Sequence, residues 1–333
     1  MNKSCLIGFL MCSAFSLVVQ AATDGAHITK TISQIERKKG IKRTIQYRPD
    51  GNDFVCVNGK NRYTRALYGG ITDFRIETSD RPVFAAYKPK DSKHICFRLQ
   101  CGNQSIALDS LKFCEARYRA GRRTYRLTDP LLGKGELNIS VLAFPDAEGG
   151  IWRFTMKDMP EGALLHCYIS EIRAKNLSRN GDMGADRADS FDAPQLPKEQ
   201  KHYKLSLDGT TAYIVVEDQE LRLPALVEGT SLYDKSEKWR SEIESSLQIS
   251  TPDPYFNPLG GALAAAADGI WDGKIWLHGA IGWRSQLNGW RAAYIGDFIG
   301  WHDRARTHFD SYAASQVTDV PATIPHPTQD TAL

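Results

Sequence analysis

From Thr44 to about Ser246 the chain is a series of short β-type runs broken by turn residues, the pattern of a β-sandwich. Phe54 to Val57 precedes Asn58-Gly59, Ile95 to Leu99 precedes Gly102-Asn103, and Leu137 to Phe144 precedes Pro145-Asp146. Further runs follow at Ile151 to Met156, Leu164 to Ile172, His202 to Leu207 and Thr211 to Glu217. The last two are joined across Asp208-Gly209, the best hairpin signal in the chain. Between Ala174 and Lys201 the composition turns to Gly, Asp, Arg and Pro. This segment reads as an exposed loop in which Arg187, Asp189 and Asp192 either edge a cleft or are plain solvated residues.

Residues 247–333 differ. Gly260 to Gly269 is rich in alanine, and Tyr294, Phe298, Trp301, Ala305, Phe309 and Tyr312 recur at helical spacing, which predicts one helix from about Ala292 to Ala314. Gly296 and Gly300, four apart on it, suit the close approach of a neighbouring backbone. The expected fold class is mainly β with C-terminal α.

At the other end, Met1, Asn2 and Lys3 lead into an apolar run from Leu6 to Val19 and then Gln20, Ala21 and Ala22. Residues 1–21 therefore read as a signal peptide with a small-residue cleavage site, and the product as periplasmic or secreted, with no membrane span. Residues 22–43 form a leader. Its basic cluster, Arg37, Lys38, Lys39, Lys42 and Arg43, lacks an aromatic ladder, and the net charge of +3 is too small to imply a nucleic-acid partner. Of the seven cysteines, Cys5 and Cys12 lie in the signal, leaving an odd set, Cys56, Cys96, Cys101, Cys114 and Cys167. A separation of five points Cys96 and Cys101 to opposite faces of a strand, so a disulfide framework is not expected.

The chemistry concentrates late in the chain. Five of the seven tryptophans, Trp271, Trp276, Trp283, Trp290 and Trp301, share one stretch with Arg284, Arg291, Arg304 and Arg306. Indole faces stack on the C–H face of a pyranose, and guanidinium forks hold hydroxyls or carboxylates. The competing account is that the rings fill a helical core. For the group, with Trp283-Arg284 and Trp290-Arg291 in a Gly-punctuated loop, sugar binding is the preferred reading, and an oligosaccharide or polysaccharide the expected partner. Trp301 and His302 complete the candidate binding set.

Glycoside hydrolysis needs two carboxyl groups across the scissile bond. Asp253, Asp268, Asp272, Asp297 and Asp303 are available. On the predicted helix Asp297 shares a face with Trp301, Arg304 and His308, and is the better candidate. Asp303 points largely away and also fits a surface pair with Arg306. His302 and His308 are six apart, which is not the spacing of a helical zinc pair. No serine or cysteine nucleophile motif, phosphate loop or dinucleotide fingerprint occurs, so neither metal nor cofactor is expected.

The segment Ser250-Thr251-Pro252-Asp253-Pro254-Tyr255-Phe256-Asn257 is followed by His278-Gly279-Ala280 and Gly282-Trp283-Arg284. Asn288-Gly289-Trp290-Arg291 and Gly300-Trp301-His302-Asp303 come next. Together they resemble exported six-hairpin glycosidase-like proteins of gut Bacteroides-type bacteria that carry a domain of unknown function called DUF4450. Tyr47-Arg48-Pro49-Asp50-Gly51, Asn58-Gly59-Lys60-Asn61-Arg62-Tyr63 and Leu67-Tyr68-Gly69 look like that domain's opening. The resemblance implies a β-sandwich followed by an (α/α)6 barrel whose central cavity binds sugar without a metal. Rhamnosidase-type relatives carry Gly-Trp-x-Gly-Asp. Here Tyr294-Ile295-Gly296-Asp297 matches only its last two residues, and their Asp-Cys-Pro element is absent. Twelve helices need on the order of 200 residues, whereas 83 follow Ser250 in a chain of 333. The expectation is thus a β-sandwich followed by the first helices of a truncated barrel, from a glycoside hydrolase or its N-terminal fragment. The alternatives are a non-catalytic carbohydrate-binding or scaffold module, and an inactive remnant.

Overall fold

A computed structural model describes residues 46–59, 63–88, 92–171, 202–218, 220–277 and 289–314. Residues 1–43, read from sequence as signal peptide and leader, and the segment with Arg187, Asp189 and Asp192, read as an exposed loop, lie outside the described residues. Among the described residues no helix is long and apolar enough to cross a membrane.

The protein is mainly β, with two antiparallel sheets and a few helices near its C-terminal end. In the first sheet, β1 (Arg48–Asp50), β2 (Asp53–Val57), β8 (Phe113–Arg119), β9 (Arg122–Thr128), β10 (Glu136–Ala143), β11 (Gly149–Lys157), β14 (Thr211–Glu217) and β15 (Glu220–Arg222) lie side by side in that order. The second runs β13 (His202–Ser206), β12 (Leu164–Glu171), β6 (Lys93–Cys101), β5 (Phe84–Tyr87), β4 (Arg75–Ser79) and β3 (Tyr63–Tyr68), and β7 (Gln104–Ala107) also pairs with β6.

Period-two alternation stacks the sheets. Trp152, Phe154 and Met156 of β11 and Ile214 and Val216 of β14 enter the same core as Phe84 of β5 and Ile95, Phe97 and Leu99 of β6. Phe84 is its hub, with ring centroids 5.6 Å from Phe97 in its own sheet and 5.6 Å from Tyr125 and Trp152 in the other, all edge-on. Cys101 packs against this core while Cys96 meets Ser170 on the outer side, as their separation predicts. Cys56, Cys96, Cys101, Cys114 and Cys167 are free thiols.

The strand runs read from sequence all correspond to strands, but the strongest hairpin signal does not make a hairpin. β13 pairs with β12 and β14 with β11, so Asp208-Gly209 carries the chain from one sheet to the other. Leu207, fully buried, donates its amide to Ala163, and the Asp208 carboxylate receives the Gly162 amide, which fixes the crossing. Tight hairpins form instead at Gly51-Asn52, Gly102-Asn103 and Ala120-Gly121, each with a glycine at positive φ.

A second difference lies within the region read as strands. Leu226–Ser245 is a helix, α1, laid on the outer face of the first sheet. Its Tyr233 joins Leu142, Phe144, Ile151, Tyr213 and Val215, the residues that β10, β11 and β14 turn away from the main core. Arg119 and Arg240 both bond Glu244 at 2.7 Å, while Arg122 and Arg240 both bond Glu237 at 2.8 Å, and this ladder ties α1 to the β8–β9 hairpin.

The third difference is that residues 292–314 do not form one helix. α2 (Leu259–Asp268) is followed by α3 (Gly289–Phe298) and α4 (His302–Ala314), and Gly300 breaks the last two apart at φ +91°. Its amide bonds Asp297 O at 3.1 Å and the Trp301 amide bonds Gly296 O at 2.8 Å, a glycine-terminated helix end. Gly296 does admit a neighbour, but that neighbour is a side chain: a Cβ there would lie 2.0 Å from the Trp276 ring.

Candidate functional site

α2 begins Leu-Gly-Gly-Ala and continues almost wholly in alanine. Those small residues let it sit close to its neighbours, since a Cβ on Gly260 would reach Leu247 O at 2.7 Å and one on Gly261 would reach Glu244 at 2.8 Å. The helix ends on Asp268, which is buried. Beyond it Trp271 and Trp276 pair across a turn that Asp272 caps, its carboxylate receiving the Lys274 and Ile275 amides at 2.9 and 2.7 Å.

Trp276 is fully buried. Its indole N–H donates to Ala267 O at 3.0 Å and its amide donates to His308 Nδ1 at 3.0 Å, so ring and histidine are internal framework. The core account therefore holds for Trp276. Trp271 and Trp301 remain half-buried on either side of Arg304, whose guanidinium lies 4.5 Å from the Trp301 centroid and 5.6 Å from that of Trp271. Arg304 donates from Nη1 to Asp268 Oδ1 at 2.7 Å. Burial raises the Asp268 carboxyl above the usual aspartate range, and the hydrogen bond and charge of Arg304 only partly oppose this.

Asp268 stands in the wall of a cleft of about 270 Å3 between the sandwich and the helices. Phe54 of β2, Tyr68 of β3 and Tyr118 of β8 line it from the strands, and Trp239 and Arg240 from α1. Tyr68 is wedged against α2's end, where a Cβ on Gly269 would lie 2.4 Å from its ring. Concave, mostly apolar walls with a few fixed polar groups are the usual composition of a small-molecule site.

The sequence-predicted residues fall elsewhere or out of view. Asp297 is exposed and its Oδ1 accepts from His302 Nδ1 at 2.7 Å, across the break between α3 and α4. Asp303 is 98% exposed and lies 3.8 Å from Arg306, the surface pair that its spacing allows. Neither lines the cleft. The expected common face of Asp297, Trp301, Arg304 and His308 is divided by the Gly300 break: His308 is buried and Arg304 turns to Asp268. Trp283 and Arg284 lie outside the described residues, as do the expectations for the side chains of Trp290 and Arg291, which belong to α3. Among the described residues no three His, Cys, Asp or Glu side chains gather as a metal set.

Sequence reasoning passed over Tyr68, Tyr118, Trp239 and Arg240. One signal was available: Trp239-Arg240 repeats the Trp-Arg dipeptide already noted at 283-284 and 290-291.

Residues 89–216 match the family model described as Domain of unknown function (DUF4450). The match runs from just before β6 to the end of β14, which supports the resemblance for the central strands of both sheets. It includes Tyr118, while the other named cleft residues lie outside it. No curated protein matches the chain.

Proposed function

We propose that this chain binds carbohydrate in the cleft between the sandwich and α1–α2, as an exported protein whose signal is removed near Ala22. One observation carries the reading. Tyr68, Tyr118 and Trp239 line the same cleft as a single carboxyl, Asp268, and a single guanidinium, Arg240. Aromatic faces accept the C–H side of a pyranose, and fixed polar groups select its hydroxyls. Titration calorimetry with a panel of neutral and acidic plant and host oligosaccharides tests it. Saturable binding by the native chain, weakened about tenfold or more in Trp239→Ala, is expected. No binding to any member, or binding that Trp239→Ala leaves untouched, removes the cleft as a sugar site.

A second reading is glycosidase-like hydrolysis, favoured by the raised Asp268 carboxyl, because a general acid must hold its proton near the working pH. Asp297 and Asp303 remain the other carboxyls of that reading. Product assays on the same panel with Asp268→Asn, Asp297→Asn and Asp303→Asn assign the roles: loss of turnover marks the carboxyl that takes part. Turnover unchanged in all of them would exclude these carboxyls from the chemistry.

A further inference from the structure

The outer face of the first sheet is covered by α1 over β14 and parts of β10 and β11, and beyond that helix it is polar. Register fixes which side chains share it. Arg117, Thr124, Ser140 and Arg153 stand opposite one another across β8, β9, β10 and β11, and Glu115, Arg126, Asn138 and Thr155 form the next row outward-facing. These rows line a basin of about 280 Å3.

The charges in it are not equally compensated. Arg117 bonds Glu115 and Asp50 at 2.8 Å and lies 3.4 Å from Asp53. Arg126 lies 3.4 Å from Glu115 and 3.5 Å from Glu136. Arg153 has no carboxylate partner among the described residues, and its Nε is buried without an acceptor. With Nε sealed from solvent, the outer Nη edge of the guanidinium is the part an anion in the basin can meet, and no carboxylate of the described residues compensates it. The guanidinium is also held in place: it lies 3.9 Å from the Tyr233 ring centroid, and the Tyr233 hydroxyl is fixed 2.6 Å from Ser140 Oγ. Three strand spacings, roughly 14 Å, separate β11 from the strand that carries Glu115. Between them, the Thr124 hydroxyl, and beside Arg153 the Thr155 hydroxyl, have no partner among the described residues.

We infer that this basin is a second saccharide subsite, one that takes an acidic sugar, with the carboxylate or sulfate on Arg153 and ring hydroxyls on Thr124 and Thr155. A planar guanidinium meets either anion through paired N–H donors. The inference rests on the reading of the chain as a carbohydrate-binding protein but not on the cleft. All of the basin's lining residues lie within 89–216.

Calorimetry with tetragalacturonate, a sulfated galactotetraose and neutral galactotetraose tests it on the full chain, with Arg153→Gln and Thr155→Glu. The native chain is expected to bind at least one acidic ligand more tightly than the neutral one, and the two acidic arms tell carboxylate from sulfate. Arg153→Gln should weaken that binding about tenfold or more while leaving neutral binding unchanged. Thr155→Glu, on the solvent side of the sheet, should abolish the acidic preference by like-charge repulsion even if Arg153→Gln fails to fold. Equal affinity for acidic and neutral ligands, or an acidic preference that survives Thr155→Glu, overturns the subsite. Absence of binding to every ligand overturns the carbohydrate reading itself. Acidic binding that is lost in Trp239→Ala and unchanged in both Arg153→Gln and Thr155→Glu leaves the cleft standing and the basin refuted.

Discussion

Asp268 ends α2 with its carboxyl buried, and burial lifts the group above the usual aspartate range although Arg304 hydrogen-bonds it. A group with a raised folded pKa contributes stability below its unfolded pKa and loses that contribution as pH rises through the folded value. Urea midpoints measured from about pH 3 to pH 7 should therefore show the native chain losing ground to Asp268→Asn as pH increases. A difference that grows in favour of the native chain with rising pH would mean that the Arg304 pair outweighs desolvation. Single residues also show how far tryptophan can be read from sequence. Trp276 contributes to the local crowding, yet it is core, whereas Trp239 stands apart in the sequence and lines the cleft. At Trp152-Arg153 the strand's period of two puts the ring inside and the guanidinium outside, so one dipeptide serves the core and the basin at once.

Elements whose burial followed a simple hydrophobic period were legible. β14 was placed residue for residue, and β10 and β11 within two. α1 was not, because the residues it buries are Gly229, Tyr233, Ser236 and Arg240, which hold the i, i+4, i+7, i+11 spacing of a helix face without being apolar as a set. Gly229 is part of the reason: a Cβ there would lie 2.4 Å from the Tyr213 ring, so contact with the sheet is gained through absence of a side chain. The sheet assignment around Asp208-Gly209 was hidden for a different reason, since turn chemistry is the same whether the joined strands pair or part. In α3, Gly296 separates two expectations by sign. Helix propensity alone predicts that Gly296→Ala stabilises by up to about 1 kcal/mol. Contact with the buried Trp276 ring, 2.0 Å from the added carbon, predicts a loss of about 1 to 3 kcal/mol. Chemical denaturation should find the loss, and a gain would show that the indole can move aside.

At the scale of the whole molecule, the cleft is assembled from β2, β3, β8, α1 and α2, and Tyr68, Tyr118, Trp239 and Asp268 are brought together from far apart in the sequence. No local motif announces such a site. What sequence could indicate was the ingredients: aromatic residues, arginines and spare carboxylates in a mainly β chain. Which of them meet depends on α1 lying over the first sheet and on α2's glycines admitting it to the helix end and the β8–β9 hairpin. A crystal structure of the chain with the tightest-binding oligosaccharide of the panel tests this assembly most directly. A sugar ring against Trp239 and Tyr68, with a hydroxyl within hydrogen-bond distance of Asp268, is the result expected. An empty cleft beside a saccharide seated on the Trp283–Trp290 segment would contradict it.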